Sequence, residues 1–424
     1  MQKRWIKNFN ELAITENRKL ALEIAEAGLN AIGTEGVILN SIKLENNILN
    51  IKGQEFDLTK FKRIKVVGFG KCSVQAAQVL EQILGDKIHS GAVVGLQKAD
   101  CKYIETFAGT HPRPTEVNVE PGKRIFDLVN NSNEQDLIIV LVSGGGSALL
   151  SYPESEYVQG QKLYDSFLQS GKTISEINTV RKHISEMKGG GLAKIAFPAT
   201  VIGLVFSDVP GDKFQDVASG PTYKDITTVS DAQKIITENN LGEFNLIETP
   251  KEDKIFEKVH NFVLVSNKIA VDAMDKKAKE LGFETKIIST DLYDEVDESL
   301  RKLIEQAKDN LVILAAGEPK LVVTKKGGTG GRSLYMSMKA VFDKKVPENS
   351  VLIPLASDGM DNSDAAGAII DKITVEKIEK SELDLADYLD RFDAYPVFQK
   401  SGDIIMTGPT GANVSDLMIL LTKK

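Results

Sequence analysis

The chain has 424 residues, more than one hydrophobic core usually covers, so two or three domains are expected. Its net charge of −8 argues against nucleic acid or an anionic membrane as the main partner. Its cysteines, Cys72 and Cys101, cannot form a disulfide framework and show no zinc-binding spacing. No apolar stretch resembles a signal peptide or spans a bilayer, so a cytoplasmic location is expected.

Strand and helix patterns alternate along the chain. Apolar residues recur at helical spacing over residues 8–31 and 73–84. The unbroken apolar run at 137–142 is typical of a parallel strand that is covered on both faces. Such alternation indicates βαβ units and parallel sheets. Strands are predicted at residues 64–68, 92–96, 137–142, 200–206, 262–265, 285–288, 311–315, 351–355 and 416–421.

A stretch between about residues 239 and 261 contains Gly242, Pro250 and a run of charged residues, which is typical of a surface connection. We therefore predict an α/β protein with two domains, each with a largely parallel sheet flanked by helices. The predicted domains are a Rossmann-like domain at residues 1–250 and a second α/β domain at residues 251–424. The active site is expected in the cleft between them.

The first glycine loop, residues 68–73 (GFGKCS), follows a predicted strand. It differs from the GxGxxG dinucleotide fingerprint because Ser73 replaces the third glycine. Lys71 is informative, since a cation at a helix N-terminus opposes the helix dipole and calls for a nearby anion. We predict that Gly68 and Gly70 bind phosphate and that Lys71 acts on it. A solvated lysine at a helix start is the alternative interpretation.

The second glycine loop, residues 143–147 (SGGGS), follows the most apolar predicted strand. It matches neither a Walker A loop nor a nucleophile elbow. A tight turn needs only one glycine, so three in a row indicate close approach of the backbone to a phosphate. The predicted phosphate-binding residues are Ser143, Gly144, Gly145, Gly146 and Ser147.

The third glycine loop, residues 327–332 (GGTGGR), ends in an arginine. Glycines leave backbone N–H groups free to converge on an anion, and the planar fork of Arg332 suits phosphate oxygens. We predict phosphate contacts from Gly328, Gly330 and Gly331. Three glycine loops, two of which carry a cation, indicate an enzyme that binds a nucleotide phosphate.

Other polar residues follow strands or lie on loops. Asp208 could hold Mg²⁺ or accept a substrate proton, or it could form a cap or turn. Asp358 could bind a metal, although an Asx turn is the simpler interpretation. His111, in a segment stiffened by two prolines, could face substrate or be an ordinary loop histidine. Arg181, on a predicted helix, fits either a substrate-carboxylate site or a solvated helix face.

The order of these motifs resembles the glycerate 2-kinase family, whose C-terminal part is called the MOFRL domain. The resemblance implies that ATP phosphorylates D-glycerate at its 2-hydroxyl, giving 2-phosphoglycerate and ADP, with Mg²⁺ or another divalent metal. It also implies two α/β domains, with a MOFRL-like domain at residues 251–424. The matching segments are residues 68–73, 109–114, 143–150, 180–185, 207–212, 219–222, 317–319, 327–332 and 407–414.

The resemblance further implies roles for single residues. Lys71 and Arg332 map to positions central to catalysis, and Asp208 and Glu318 map to acidic positions of the same cleft. Asp208 would orient the substrate hydroxyl or accept its proton, and Asp208 or Asp358 would hold the metal. The expected substrate-binding residues are His111, Arg181 and Glu318. The expected partners are ATP and D-glycerate, with no nucleic acid or membrane, and the chain is expected to be a monomer or homodimer.

Two other classes of function stay open. An NAD(P)H-dependent hydroxypyruvate reductase would use the first glycine loop, but no acidic residue ends the second strand near Leu96, and Asp100 is the nearest candidate. A non-catalytic nucleotide or sugar-phosphate-binding protein would bind ligand without ATP turnover. Departures from the family pattern at Phe69, Ser333 and residues 362–363 bear on substrate preference more than on reaction class.

Overall fold

The computed structural model describes residues 4–170, 174–209, 213–324 and 327–424, which form two compact units. The middle unit comprises Thr34–Val209 and Lys213–Leu264, and the terminal unit joins the chain up to Gly33 with Val265–Lys424. The observed units differ from the predicted division at residue 250, because the N-terminal helices belong with the C-terminal part of the chain. Among the described residues, no helix is long and apolar enough to cross a membrane.

The middle unit contains an α/β sheet and a small second sheet. Its strands are β1 (Ile42–Glu45), β2 (Ile48–Ile51), β3 (Gln54–Asp57), β4 (Arg63–Phe69), β5 (Ile88–Gly95), β6 (Ile104–Ala108), β7 (Asp136–Ser143), β8 (Thr200–Phe206) and β9 (Val259–Val265). Its helices are α3 (Thr34–Ser41), α4 (Ser73–Leu84), α5 (Val119–Asn130), α6 (Gly146–Leu149), α7 (Glu154–Ser170), α8 (Ile174–His183), α9 (Gly191–Ala196) and α10 (Val229–Glu238).

The main sheet of the middle unit has the strand order β6-β5-β4-β7-β8-β9. The pairings of β5 with β6, β4 with β5, β4 with β7 and β7 with β8 are parallel, which confirms the predicted parallel sheet. Strand β7 is buried along its whole length, as its apolar run indicated. Because β4, β7 and β8 are parallel neighbours, the loops that follow them meet at one edge of the sheet.

The small sheet of β1, β2 and β3 is antiparallel and was not predicted. Its strands are four residues each, too short for a clear period-2 pattern.

The terminal unit has a mixed sheet. Its strands are β10 (Glu284–Leu292), β11 (Leu311–Gly317), β12 (Ser350–Ala356), β13 (Gly367–Ala368), β14 (Ile404–Ile405) and β15 (Asp416–Thr422). Its helices are α1 (Phe9–Leu12), α2 (Glu16–Ile32), α11 (Asn267–Glu280), α12 (Val296–Ile304), α13 (Arg332–Phe342), α14 (Lys372–Lys380), α15 (Leu385–Asp390) and α16 (Tyr395–Ser401).

The strand order of this sheet is β10-β11-β15-β12-β13-β14. Strands β10 and β11 are parallel, but β15 lies antiparallel between β11 and β12. Strands β10, β11 and β12 therefore point the same way, and the last strand of the chain runs against them. The α/β architecture with two domains is confirmed, while this sheet is less parallel than predicted. Because every residue of β15 is buried, its apolar pattern did not indicate whether the strand runs parallel or antiparallel to its neighbours.

The N-terminal helices pack within the terminal unit. The predicted helix over residues 8–31 is broken into α1 and α2, and Thr15 caps α2 by accepting the N–H of Arg18. The buried guanidinium of Arg18 donates to Asp371 at 2.7 Å and to Asp403 at 2.8 Å. Gly28 of α2 lets α11 approach closely, since a side chain there would meet Met274. These contacts explain why the start of the chain groups with the terminal unit.

Candidate active site

Three predicted site segments of the middle unit lie together where β4, β7 and β8 end. The N–H of Lys71 donates to the carbonyl of Gly144 at 2.8 Å, which links the first and second glycine loops. The carboxylate of Asp208 lies against Gly144, and any side chain at that glycine would overlap it. The structure thus brings Lys71, the second glycine loop and Asp208 into contact. Residues 210–212 of the same motif lie outside the described residues.

The glycines of the first loop serve packing. Gly68 lies inside β4, where a side chain would come within 2.8 Å of the Cβ of Leu141. Gly70 has φ +125° and abuts Ser143, so a side chain there is excluded by both conformation and space. The structure therefore gives no support to Gly68 and Gly70 as phosphate ligands.

The N–H groups of the first loop are also committed within the protein, which weakens the dinucleotide interpretation. A pyrophosphate needs free N–H groups at the start of the helix. The observed bonds are Gly70 N to Val94 O at 3.1 Å, Lys71 N to Gly144 O at 2.8 Å, Cys72 N to Ser143 Oγ at 3.3 Å and Ser73 N to Gly70 O at 3.2 Å.

The second glycine loop differs from the first in its backbone. Gly145 has φ +81°, a left-handed conformation that turns the chain into α6. Within the described part of the chain, the N–H groups of Gly145, Gly146 and Ser147 donate to no other residue. The hydroxyl of Ser147 pairs with that of Ser219 at 2.8 Å. The backbone of this loop is therefore available to an anion.

The side chains of Lys71, His111 and Arg181 lie beside the same loop. The Cγ of Lys71 and the Cδ2 of His111 lie 3.1 and 3.0 Å from the position that a side chain of Gly145 would occupy. Arg181 donates from Nη1 to Asn178 at 2.9 Å, and no carboxylate among the described residues pairs with its guanidinium. Burial lowers the pKa of Arg181 to about 10. A half-buried guanidinium without a carboxylate partner favours binding of an anion.

His111 is held neutral by its surroundings. Burial, together with the positive charges of Lys71 and Arg181, lowers the pKa of His111 to about 4. The ring therefore adds no positive charge at neutral pH, but it can still donate or accept a hydrogen bond.

We expect the imidazole of His111 to show no titration between about pH 5.5 and 8, where an ordinary histidine changes charge. The unfolded chain takes up this proton near the ordinary pKa, so folding stability should fall as pH drops from there toward about 4 and then level off. Proton NMR of the histidine rings measures the titration, and His111→Asn identifies the signal. A midpoint near the ordinary value would show that the ring is not held as the structure has it.

In the third glycine loop, in the terminal unit, the backbone N–H groups are hydrogen-bonded within the protein. Each of its N–H groups from residue 328 to residue 331 donates to a protein acceptor, so the structure gives no support to Gly328, Gly330 and Gly331 as phosphate ligands through the backbone. The bonds are Gly328 N to Arg391 O at 2.9 Å, Thr329 N to Asp393 Oδ1 at 2.8 Å, Gly330 N to Asn362 O at 3.4 Å and Gly331 N to Asp361 Oδ2 at 3.1 Å.

Arg332, at the end of this loop, lies among carboxylates. Its Nε donates to Asp416 at 2.8 Å, and its Nη1 donates to Glu318 at 3.4 Å. Arg332, Asp358, Asp361 and Asp416 line a cavity of about 250 Å³. Asp358 accepts the N–H of Met360 at 3.0 Å, the Asx turn that was the simpler interpretation. The structure thus places Arg332 beside Glu318 and puts Asp358 in the same cavity.

The sequence interpretation missed Asp416 and did not choose Asp361 as a site residue. Burial, helped by the nearby carboxylates of Asp361 and Glu318 and opposed by Arg332, raises the pKa of Asp416 to about 7. Burial also raises the pKa of Asp361 to about 6, against three backbone N–H groups that favour its charged form. For Arg332, burial is outweighed by the carboxylates, so its pKa lies above the usual range. The sequence feature that could have pointed to Asp416 is its position as a charged residue at the start of an apolar strand.

Comparisons with known proteins identify the family of the chain. Residues 20–247 match a domain of unknown function (DUF4147), and residues 311–416 match the MOFRL family. The chain is 34% identical to D-glycerate 2-kinase of Thermotoga maritima, covering 95% of the chain and 97% of that protein. It is 32% identical to glycerate 2-kinase of Pyrococcus horikoshii, covering 95% of the chain and 98% of that protein. The chain belongs to the glycerate 2-kinase family.

A solved structure supports the membership. The crystal structure of the glycerate kinase from Thermotoga maritima matches with a TM-score of 0.84 at 32% identity, over 95% of this chain and 99% of the other. As a member of the glycerate 2-kinase family, the protein is a kinase, which favours an enzyme over a non-catalytic binding protein.

Predicted metal ligands fall in different units of this glycerate 2-kinase family member. Asp208 lies in the middle unit and Asp358 in the terminal unit. In the described ranges, no group of three or more histidine, cysteine or acidic side chains is arranged to hold a metal. Mg²⁺ in kinases commonly uses one or two carboxylates beside substrate phosphates, so a single aspartate in either unit fits such an ion.

Proposed function

We propose that the protein transfers a phosphoryl group from ATP to the 2-hydroxyl of D-glycerate, giving 2-phosphoglycerate and ADP. The observation that carries the proposal is the cluster in the middle unit, where Lys71, Arg181 and Asp208 surround the open backbone of the second glycine loop. Two cations and free N–H groups suit an anionic substrate, and a carboxylate beside them suits a hydroxyl that must lose its proton.

The substrate carboxylate is assigned to Arg181 and the second glycine loop. Arg181 offers a planar fork that can bind a carboxylate with two hydrogen bonds. His111, neutral at this site, would hydrogen-bond to a hydroxyl or carboxylate oxygen of the substrate without adding charge. Asp208 would orient the 2-hydroxyl and accept its proton during transfer. These roles select a short 2-hydroxycarboxylate over a sugar that lacks an acid group.

Phosphoryl transfer is catalysed mainly by positioning and by neutralising charge on the transferring group. Lys71 and Arg332 would each supply positive charge to the transferring group. A divalent metal, when bound, supplies further charge neutralisation, and Asp208 or Asp358 would hold it. Glu318 would act next to Arg332, either on substrate or by orienting the guanidinium.

A cytoplasmic location and a monomeric or homodimeric state stay predictions.

The proposal predicts ADP release that depends on D-glycerate. A coupled assay measures ADP, and phosphorus NMR identifies the product as 2-phosphoglycerate. Formation of 3-phosphoglycerate would refute the choice of hydroxyl while keeping the acceptor. ATP binding without D-glycerate-dependent turnover would refute the proposed reaction.

The same protein sample tests the reductase alternative. Oxidation of NADH or NADPH in the presence of hydroxypyruvate, without ADP release in the kinase assay, would support that alternative.

In the kinase assay, L-glycerate serves as the matched control acceptor, since it has the same charge and size but presents its 2-hydroxyl with the opposite hand.

A further inference from the structure

The start of α13 is fixed by Asp361. This carboxylate accepts the N–H groups of Gly331 at 3.1 Å, Ser333 at 3.3 Å and Leu334 at 2.7 Å. These residues flank Arg332 on both sides, and a side chain at Gly331 would overlap Asp361. A carboxylate at a helix N-terminus satisfies unpaired N–H groups and suits the helix dipole. The backbone of Arg332 is therefore already anchored before any ligand binds.

The side chain of Arg332 is held by a separate residue. Asp416 accepts its Nε–H at 2.8 Å and is buried, with 4% of its surface exposed. Asp416 opens β15 and pairs in register with Gly317 of β11 and Ala356 of β12. A carboxylate placed on the central strand of three hydrogen-bonded strands has little freedom to move. Glu318, 37% exposed at its side chain, is a longer and weaker partner at 3.4 Å.

The bond to Asp416 uses only one edge of the guanidinium. Arg332 has five N–H donors, and Asp416 accepts the one at Nε. Among the described residues, no acceptor bonds to Nη2. Arg332 also lines the cavity of about 250 Å³, so it has donors left for a ligand there.

We propose that Asp416 is a positioning residue that orients the guanidinium of Arg332 for phosphoryl transfer. This inference rests on the proposed function and extends it to a residue that does not itself meet the substrate. Misplacing a catalytic group by about 1 Å can lower a rate by about 10²-fold. Asp416→Asn keeps the shape of the side chain but removes its charge, so it should lower kcat by about that factor through Arg332.

A double-mutant cycle distinguishes positioning from a general structural role. Asp416→Asn is made in the wild-type protein and in Arg332→Lys, and kcat is measured for each. We expect a large loss in the wild-type background and little further loss in the Arg332→Lys background. Equal fold losses in both backgrounds would overturn the proposal. Asp343→Asn, at the other end of α13 and paired with Lys339 and Lys345, is the matched control and should leave kcat unchanged.

A second readout does not depend on the reaction. With ¹⁵N-labelled arginine, the Nε–H of a fixed Arg332 should give an exchange-protected NMR signal, identified by its absence in Arg332→Lys. We expect Asp416→Ala, which has no side-chain acceptor, to lose this signal while the other arginine signals persist, whether or not D-glycerate is the acceptor. If the signal survives in Asp416→Ala, Asp416 does not position Arg332. Absence of turnover in the wild-type protein would instead refute the proposed function alone.

Discussion

Arg332→Lys is expected to bind ATP nearly as well as the wild-type protein and to lose most of its turnover. An arginine that meets the transition state of phosphoryl transfer can contribute roughly 10³–10⁵ in rate. Lysine keeps the charge but lacks the planar fork, so it cannot hold Asp416 through one edge and present fixed donors to a ligand with the other. Arg332→Ala, which also lacks the charge, should lose more turnover.

The measurements are ATP affinity by calorimetry and single-turnover phosphoryl transfer for both variants. Arg301→Lys is the matched control, because Arg301 lies in the same unit and pairs on the surface with Glu298 and Glu305. Normal turnover of Arg332→Lys would show that the fork is irrelevant. If ATP affinity and turnover fall in step in both variants, Arg332 binds the ground state and its transition-state role is refuted.

Lys71→Ala is expected to reduce turnover strongly while leaving thermal stability almost unchanged. The side chain is exposed, so its removal opens no cavity. Each charge-assisted hydrogen bond to a phosphate contributes about 1.5–3 kcal/mol, so the loss of one such bond in the transition state should slow phosphoryl transfer strongly. Because Lys71 is one of the two cations that lower the pKa of His111, its loss should also move that pKa up toward the ordinary value.

Steady-state kinetics, thermal unfolding and the histidine NMR titration test these expectations on one variant. Lys234→Ala, on the exposed face of α10, is the control for loss of a surface lysine. Activity within a few-fold of wild type would mean that Lys71 is a solvated lysine, as the alternative interpretation held. A shifted His111 titration with normal activity would confirm the local geometry and refute only the catalytic role.

Much of the fold follows from periodic patterns that act over short distances. The helix predicted at residues 73–84 matches Ser73–Leu84, and the run at 137–142 lies in the buried strand Asp136–Ser143. The placement of Lys71, Asp208 and the second glycine loop at one sheet edge followed from parallel strand order. Such features depend on neighbours within a few residues and on the general geometry of α/β sheets.

The sequence could not predict which backbone N–H groups of the glycine loops are free to bind a ligand. The second and third glycine loops look alike in composition, yet one has free N–H groups and the other does not. The difference lies in acceptors supplied from elsewhere in the chain, since Gly331 donates to Asp361 and Thr329 donates to Asp393. The role of Asp416 was hidden for the same reason, because Arg332 is 84 positions away from it.

The terminal unit is formed by the two ends of the chain, and this has a consequence for biosynthesis. During translation, Arg18 leaves the ribosome long before its partners Asp371 and Asp403, which lie 353 and 385 positions later. The apolar face of α2 therefore stays uncovered at least until α11 has been made, and Arg18 meets Asp371 and Asp403 only when almost the whole chain is complete. The middle unit, although it is encoded between the two parts of its neighbour, is the first whose entire sequence is available to fold. Nascent chains stalled once residue 264 has left the ribosome should accordingly resist protease within the middle unit while α1 and α2 are still cleaved.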